Sequence, residues 1–313
     1  MIALQDIQAA QARIANYIRH TPLIEAKPVK QPICAAQTLY LKLECLQICG
    51  SFKARGAVNK LLSLSPNQLQ YGLVTASGGN HGLGVAYAGW LAHVPVTIYL
   101  PQSTPLVKVQ KLESWGARVI FAGAVWDEAN QAALQAVEQE GLNYIHPFAD
   151  PLVIAGQGTV GLEILEEAPD TDLLLVAIGG GGLISGVSRA ARSVKPGIKI
   201  IGVEPVGAAT LYESVRAGEI VELSQITTTA GTLAPRRSAA INLEIIQQHV
   251  DDIVLVTDEE MREAARWLWL EMGVAAELSG AAAVAALLSG KVSPAPSEKV
   301  CALVCGAGTD GMQ

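Results

Sequence analysis

The stretch "TDLLLVAIGGGGLISG", residues 171–186, decides the fold class of this chain. Its first half is an almost uninterrupted apolar run, as expected of a strand in a parallel sheet that is covered on both faces. Four consecutive glycines follow the run, and a helical pattern begins after them. A strand, a glycine-rich turn and a helix in this order indicate an α/β fold with a parallel sheet.

The same alternation of short apolar runs with helical patterns extends through the chain from about residue 72 onward. The further predicted strands are "YGLVTAS", "VPVTIYLP", "ARVIFAG", "IKIIGVEP", "DDIVLVT" and "KVCALVCG". The predicted helices between them are "NHGLGVAYAGWLAH", "PLVKVQKLESWG" and "WDEANQAALQAVEQEG". The chain length suits two domains or one large α/β unit.

Composition limits the class of partner. The chain has 313 residues, 16% of them charged, and a formal net charge of −7, so a nucleic-acid role has no electrostatic support. Residues 1–20 lack the apolar centre of a signal peptide. The most apolar helical stretch, "SGAAAVAALLSG", is far shorter than the ~20 residues of a membrane span. We therefore expect a cytoplasmic protein that binds neither nucleic acid nor membranes.

The cysteines indicate neither a disulfide scaffold nor a metal site. They lie at positions 34, 45, 49, 301 and 305, which is an odd number with no CxxC spacing. Cys45 and Cys49 have no second pair with which to complete a zinc site. No metal is expected among the site residues.

Two junctions between a strand and a helix are rich in glycine: "TASGGNHG", residues 75–82, and "IGGGGLISG", residues 178–186. Ligands of parallel sheets bind beyond the carboxyl ends of the strands, where such junctions lie. Free N–H groups at the start of a helix attract anions. The glycines at 179–182 leave room for a phosphate, and the stretch 77–80 offers the hydroxyl, amide and N–H groups that suit a small carboxylate.

Both junctions also allow simpler interpretations. The four glycines could be only a tight connection, and Ser77 or Asn80 could be only a helix cap. Neither junction contains the GxGxxG of a dinucleotide site or the GK[ST] of a P-loop. A nucleotide-binding oxidoreductase is therefore a weaker alternative.

A lysine in the stretch "CGSFKARGA", residues 49–57, adds a reactive group. The simpler interpretation of Lys53 is a surface lysine near the start of a helix. An amine, a phosphate cradle and a carboxylate cradle on one α/β scaffold are, however, the needs of pyridoxal phosphate chemistry on an amino acid.

These motifs resemble those of the fold-type II pyridoxal-phosphate enzymes, in the branch of threonine dehydratase, serine dehydratase and serine racemase. "GSFKARGA" is similar to the Schiff-base motif of that family, "SGGNHG" to its substrate-carboxylate motif and "GGGGL" to its phosphate loop. "GVEP" (202–205), "ELSGAA" (277–282) and "VCGAG" (304–308) match further landmarks in the right order. The resemblance covers nearly the whole chain.

The resemblance implies a role for each matching residue. Lys53 would be the Schiff-base lysine and the proton-transfer base, and Phe52 would pack against the cofactor ring. Ser77, Gly78 and Asn80 would hold the substrate carboxylate, with Asn80 also on the ring hydroxyl. The remaining cofactor-binding positions are the phosphate-loop residues Gly179, Gly180, Gly181, Gly182 and Leu183, and Cys305, which would face the pyridine nitrogen.

The resemblance also implies an architecture like that of the tryptophan synthase β subunit. Two parallel-sheet domains are expected, with a small domain of residues 46–145 inserted into a large domain of residues 1–45 and 146–313. Members of the family are mostly homodimers or homotetramers. Because no residue follows Gln313, the regulatory domain of biosynthetic threonine deaminases and its isoleucine feedback are not expected.

The chain departs from the family pattern at several places. Gly78 stands where racemases have a second catalytic base, a serine. Thr210 stands where an acid is expected for a divalent cation held with Glu204 and Ala208. The family segment "ADGLA" reads "AGTLA" at 230–234, without its aspartate, which leaves the choice of substrate open. Arg236 and Arg237 follow it, as surface residues or as a site for a second carboxylate.

The resemblance therefore implies a pyridoxal-phosphate dependent ammonia-lyase that acts by α,β-elimination. A β-hydroxy amino acid, L-threonine or L-serine, would give a 2-oxo acid and ammonia. A serine racemase or a 3-hydroxyaspartate dehydratase is the alternative within the family.

Overall fold

The computed structural model describes residues 2–28, 30 and 32–312, so Gln313, on which the expectation about the regulatory domain rests, lies outside it. The strands within the described residues form two separate sheets, one of six strands and one of four. Helices pack around both sheets, and the predicted α/β fold with parallel strands is confirmed.

The larger sheet carries most of the apolar core. In spatial order its strands are β1 (Leu23–Glu25), β2 (Thr38–Lys42), β10 (Lys299–Leu303), β7 (Leu173–Ala177), β8 (Lys199–Pro205) and β9 (Asp252–Val256). All neighbours pair in parallel except β1 with β2. Every residue of β7 is buried, because helices cover both faces of the sheet at its centre.

The smaller sheet is parallel throughout. Its strands, again in spatial order, are β5 (Arg118–Phe121), β4 (Val96–Leu100), β3 (Leu73–Thr75) and β6 (Asn143–Tyr144). All four lie within residues 73–144, so the chain leaves the larger sheet after β2 and returns to it at β7. The exact domain boundaries, 46 and 145, stay a prediction.

Helices connect the parallel strands. They are α1 (Leu4–Ile14), α2 (Lys53–Leu62), α3 (Pro66–Leu69), α4 (Asn80–Ala92), α5 (Leu106–Glu113), α6 (Trp126–Glu140), α7 (Pro151–Glu167), α8 (Gly182–Val194), α9 (Thr210–Ala217), α10 (Ala240–His249), α11 (Asp258–Met272) and α12 (Leu278–Leu288). In the described part of the chain, none of these is long and apolar enough to cross a membrane. The three predicted helices appear as α4, α5 and α6.

Sequence reasoning missed β1, β2 and β6, the last of which has only two residues. The first has only three residues, which is too short for a pattern of alternation. The second ends on Lys42, which is fully buried and whose ammonium lies 2.9 Å from carboxylates of both Glu163 and Glu167. A lysine at the end of a strand interrupts the apolar pattern by which a buried strand is predicted. The carboxylates that pair with Lys42 lie far away in the chain, so the sequence does not show that this charge is buried.

The helix that begins at Lys53 packs closely on α7. A Cβ atom added to Gly156 would lie 2.7 Å from the Cα of Gly56, so the two backbones approach within a distance that only glycine permits. This contact fixes α2 against the larger part of the molecule and so positions its first residue.

Candidate active site

Lys53 is the first residue of α2, and its amine points into the molecule. Its Nζ donates a hydrogen bond of 2.7 Å to the carbonyl oxygen of Pro147 and lies 5.2 Å from the centroid of the Phe52 ring. Burial lowers the pKa of Lys53 from 10.5 to about 8, although the nearby carboxylate of Glu277 opposes this shift. A sizeable fraction of the amine is therefore neutral near physiological pH, as a nucleophile or base must be.

A buried ion cluster holds the start of α2. The guanidinium of Arg55, two residues after the lysine, makes paired hydrogen bonds of 2.6–2.8 Å with the carboxylates of Glu44 and Glu163. All three side chains are buried. Paired bonds of this kind fix both position and orientation. The cluster thereby orients the first turn of α2 and with it Lys53.

The glycine loop at 179–182 presents a set of unpaired amides. Within the described residues, no protein acceptor receives a hydrogen bond from the backbone N–H groups of 179–183. The loop ends at the N-terminus of α8, a helix of 13 residues, whose dipole favours an anion there. The carbonyl of Gly180 is turned away and accepts bonds from Ser238 and Asn242. The loop therefore offers donors to a ligand, as a phosphate cradle must.

The glycines are also required by packing behind the loop. A Cβ on Gly180 would lie 2.2 Å from the ring of Phe148, and one on Gly182 would lie 2.8 Å from the carbonyl oxygen of Phe148. Gly181 has φ = +93°, a conformation that disfavours other residues. The interpretation as a tight connection is thus correct as well, and it does not compete with the role of the amides.

The loop at 77–80 faces the same region from the smaller sheet. Asn80 donates a 2.7 Å hydrogen bond from Nδ2 to Oε1 of Glu277, which joins α4 to the start of α12. The alternative interpretation of Ser77 or Asn80 as a helix cap is wrong. Gly79 is the N-cap residue of α4 without a side-chain cap, Asn80 is already helical, and Ser77 Oγ accepts from the amide of Gly79, the N-cap residue itself, rather than from an amide within the helix.

Cys305 lies at the end of β10, next to the start of α2. Its backbone oxygen accepts a long hydrogen bond, 3.4 Å, from the amide of Phe52, and its thiol donates to the backbone oxygen of Ser279 at 3.3 Å. Burial raises the pKa of the Cys305 thiol well above its usual range, so the sulfur stays protonated and uncharged.

The segment 146–149 links the lysine to the glycine loop, and sequence reasoning missed it. His146 accepts hydrogen bonds at Nδ1 from the amides of Phe148 and Ala149, which fixes the turn. Burial lowers the pKa of His146 to about 4, so this acceptor remains unprotonated. The turn directs the carbonyl of Pro147 to Lys53 and the ring of Phe148 to the glycine loop. The available signal was the short stretch "LNYI", residues 142–145, just before it.

Glu277 is the second group that sequence reasoning left without a role. Besides Asn80, its Oε1 accepts hydrogen bonds from Ser279 at 2.5 Å and from Thr232 at 3.2 Å. Burial raises the pKa of Glu277, and the bonds from Ser279 and Asn80 oppose that shift. The "ELSGAA" motif marked this position, but two of its three partners, Asn80 and Thr232, come from distant segments.

Two of the three residues discussed for other ligands have protein partners instead. The carboxylate of Glu204 accepts bonds from the amides of Leu211 and Tyr212 at the start of α9. Arg236 pairs with Glu222 at 3.2 Å on the surface, and Arg237 is exposed. Across the described residues, no group of three or more His, Cys, Asp or Glu side chains could hold a metal ion.

The residues that meet here fit the cofactor that the sequence motifs imply. A buried amine is available for a covalent bond to an aldehyde, and the unpaired amides at 179–183 are available for a phosphate. In addition, the hydroxyl of Ser51 and Nδ1 of His81 are buried without a partner among the described residues. Nε2 of Gln157 and Nε2 of His249 are unpartnered in the same way, so the free amides at 179–183, rather than these orphan atoms, carry the fit to a phosphate.

A comparison with protein families identifies the family of this chain. The family model described as pyridoxal-phosphate dependent enzyme matches residues 14–306. This chain belongs to that family. The predicted resemblance, the fold class and the cofactor are thereby confirmed.

Known relatives agree with this family assignment, and their names point to a branch within the family. An L-threonine ammonia-lyase of Thermotoga maritima is 42% identical over 289 residues, which are 92% of this chain and 72% of the relative. The structure of maize serine racemase has a TM-score of 0.92 at 36% identity, covering 98% of this chain and 93% of the racemase. The processed threonine deaminase isoform 2 of Solanum lycopersicum has a TM-score of 0.90 at 35% identity, covering 97% and 83%.

Proposed function

We propose that this protein is an ammonia-lyase that eliminates water from L-threonine or L-serine. The enamine product hydrolyses to a 2-oxo acid and ammonia. One observation carries the proposal: the buried amine of Lys53 is bonded to Pro147, and the adjacent Phe148 packs on the loop of unpaired amides at 179–183. The names of the Thermotoga and Solanum relatives support the choice of reaction.

The cofactor would be held by the residues that the motifs indicated. Pyridoxal phosphate, when bound, supplies an electron sink that makes the α-hydrogen of an amino acid acidic. The amides of 179–183 would bind its phosphate, Phe52 would contact its ring, and the second N–H of the Asn80 amide group would reach its hydroxyl. Cys305 would lie at the pyridine nitrogen as an uncharged thiol.

Lys53 would act as the base that accepts the α-proton of the substrate. Its Nζ, oriented by the carbonyl of Pro147, removes the α-hydrogen, and the lowered pKa keeps part of the amine neutral for this purpose. Hydroxide leaves from Cβ as the α-proton is taken up, so the substrate loses one water molecule in total.

The substrate carboxylate would be held by the loop at 77–80. Its donors are the hydroxyl of Ser77 and the amides of Gly78 and Asn80, at the N-terminus of α4. The contact of Asn80 with Glu277 spans the two sheets, so the substrate would be fixed between them.

Racemisation is the second candidate, because maize serine racemase is a near structural neighbour. Inversion at the α-carbon needs an acid on the face opposite Lys53. The position of Gly78 offers none, and a Cβ there would face only apolar atoms of Leu100 and Thr104 at 3.3 Å. Incubation with L-serine should therefore form far less D-serine than pyruvate. Equal rates would favour the racemase.

The assembly and location belong to the same proposal. We expect a cytoplasmic homodimer or homotetramer, in which residues 46–145 form the small domain. The support for self-association is the family resemblance, since members of the family are mostly homodimers or homotetramers. Light scattering coupled to size-exclusion chromatography would give the number of subunits.

The decisive experiment uses the purified holoenzyme with L-threonine, L-serine and 3-hydroxyaspartate. Release of 2-oxo acid and ammonia in equal amounts from threonine or serine is the expected result. Borohydride treatment followed by peptide mapping should place the mass of the reduced cofactor on Lys53. Lys53→Ala should abolish both signals and keep the fold, as judged by circular dichroism. Full activity in Lys53→Ala would disprove the proposal.

A further inference from the structure

We infer that Thr232 determines specificity by closing the space for the substrate side chain, so that the enzyme accepts only small β-hydroxy amino acids. This inference rests on the proposed function. It concerns the short turn Gly231–Leu233.

The turn borders both ligand loops at once. The carbonyl oxygen of Thr232 would lie 2.9 Å from a Cβ on Gly179, the first glycine of the phosphate cradle. Its methyl carbon, Cγ2, would lie 3.6 Å from a Cβ on Gly79, within the carboxylate loop. Thr232 therefore lies where the two loops come together.

Polar contacts with Ser279 and Glu277 hold the side chain of Thr232 in one orientation. Its Oγ1 lies 2.5 Å from Oγ of Ser279 and 3.2 Å from Oε1 of Glu277. A threonine whose hydroxyl is held has its methyl group held as well, because both are attached to Cβ. The methyl group thus has a fixed position towards Gly79.

The surrounding segment is anchored, so the turn cannot easily move aside. Ala230 and Leu233 are buried on either side. Just before them, the carboxylate of Asp258 accepts bonds of 2.5–2.6 Å from Thr228 and Thr229. Thr232 itself remains exposed, which is consistent with a position at the mouth of the site.

The geometry of the α-carbon directs the substrate side chain to this mouth. Of its four substituents, the amino group goes to the cofactor, the carboxylate to the loop at 77–80 and the hydrogen to Lys53. The fourth, the side chain, must point away from Lys53. A Cβ on Gly231 would meet nothing within 4 Å, so Gly231 forms no wall, and Thr232 is the side chain that limits this space.

Ligand binding to the holoenzyme tests this directly. Glycine has no side chain and L-leucine has a large one, and neither carries a β-hydroxyl to eliminate. Titration calorimetry should show that Thr232→Gly binds L-leucine at least about tenfold more tightly than the wild type, since such a side-chain contact is worth 10-fold or more. The affinity for glycine should change by less than about twofold. An unchanged ratio of the two affinities would overturn the inference.

Three further variants separate shape from hydrogen bonding. Thr232→Val keeps the shape and removes the hydroxyl, so L-leucine should stay excluded. Thr232→Ser keeps the hydroxyl and removes only the methyl group, so it should gain part of the effect even if Thr232→Gly folds poorly. Thr229→Ser, in the same segment, should behave as the wild type. If Thr232→Val binds L-leucine while Thr232→Ser still excludes it, the shape of the side chain at position 232 is not the determinant.

Kinetics distinguish this inference from the proposed function. In Thr232→Gly, kcat/KM for 3-phenylserine relative to L-serine should rise at least about tenfold, mostly through KM. A wild-type enzyme that releases no 2-oxo acid from serine or threonine contradicts the proposed function. If the wild type is active but Thr232→Gly leaves the ratio of kcat/KM for 3-phenylserine to that for L-serine unchanged, only the role of Thr232 is contradicted.

Discussion

At the scale of the residue, the reactivity of Lys53 follows from its burial. Water stabilises an ammonium ion better than the interior does, so burial favours the neutral amine and lowers the pKa to about 8. The nearby carboxylate of Glu277 opposes this shift only in part. Folding thus makes the amine of Lys53 more reactive, because it favours the neutral form.

The pH dependence of cofactor loading measures this shift. Only the neutral amine attacks an aldehyde, so the rate of loading onto the cofactor-free protein should rise with pH and level off above about 8. An unperturbed lysine would continue to gain reactivity up to about 10.4. Stopped-flow absorbance over pH 6–11 gives the profile. A rate still rising tenfold per unit at pH 9.5 would show that Lys53 is not desolvated.

Cys305 makes a second prediction at this scale. A carboxylate at the pyridine nitrogen would keep it protonated and prolong the carbanion, which suits transamination, whereas the buried thiol stays uncharged. We expect Cys305→Ser to keep most elimination activity and Cys305→Asp to lower it while pyridoxamine phosphate accumulates. Chromatography of the cofactor detects this. If Cys305→Asp changes neither rate nor spectrum, the thiol does not face the ring.

At the scale of the element, the glycine loop at 179–182 differs on its two sides. The amides of 179–183 lack protein acceptors on one side, and on the other the ring of Phe148 occupies the space where a Cβ of residue 180 would lie. Packing therefore requires glycine in this loop independently of any ligand.

A double-mutant cycle tests this packing requirement. Gly180→Ala should destabilise the cofactor-free protein by about 1–3 kcal/mol, because the added methyl group collides with Phe148. Phe148→Ala removes the ring and should make the same glycine substitution less costly, so the two effects should not add. Chemical denaturation of the four proteins measures this. Additive losses would show that the ring is not the obstacle.

At the scale of the whole molecule, a buried ion cluster joins elements that are distant in sequence. Arg55 of α2 bonds Glu163 of α7 and Glu44 beside β2, and Lys42 of β2 bonds the same Glu163. The Coulomb and hydrogen-bond contribution of Arg55 lowers the pKa of Glu163 in spite of its burial. The cluster connects the helix of the candidate lysine to the larger sheet.

Removal of one member should therefore be costly. Arg55→Met leaves two buried carboxylates without their main partner, and we expect a loss of about 3–5 kcal/mol in the free energy of unfolding. The control is Arg266→Met, because Arg266 is 46% exposed and pairs with Glu259 on the surface. That change should cost at most about 1 kcal/mol. Similar losses in both variants would show that burial does not strengthen the cluster.

The sequence by itself determined what short-range patterns encode. Continuous apolar runs specified the parallel strands, glycine runs marked the two ligand loops, and the motif around Lys53 indicated the chemistry. These features are local, since a strand pattern or a glycine turn depends on adjacent residues.

Only the tertiary structure decided how these parts meet. Pro147 reaches Lys53 across 94 positions, and Glu277 reaches Asn80 across 197. Burial lowers the pKa of Lys53, and burial is a property of the packed molecule. The position of Thr232 between the two loops likewise results from long-range packing. Neighbouring residues in the sequence carry no information about such contacts, because they depend on how distant elements share one core.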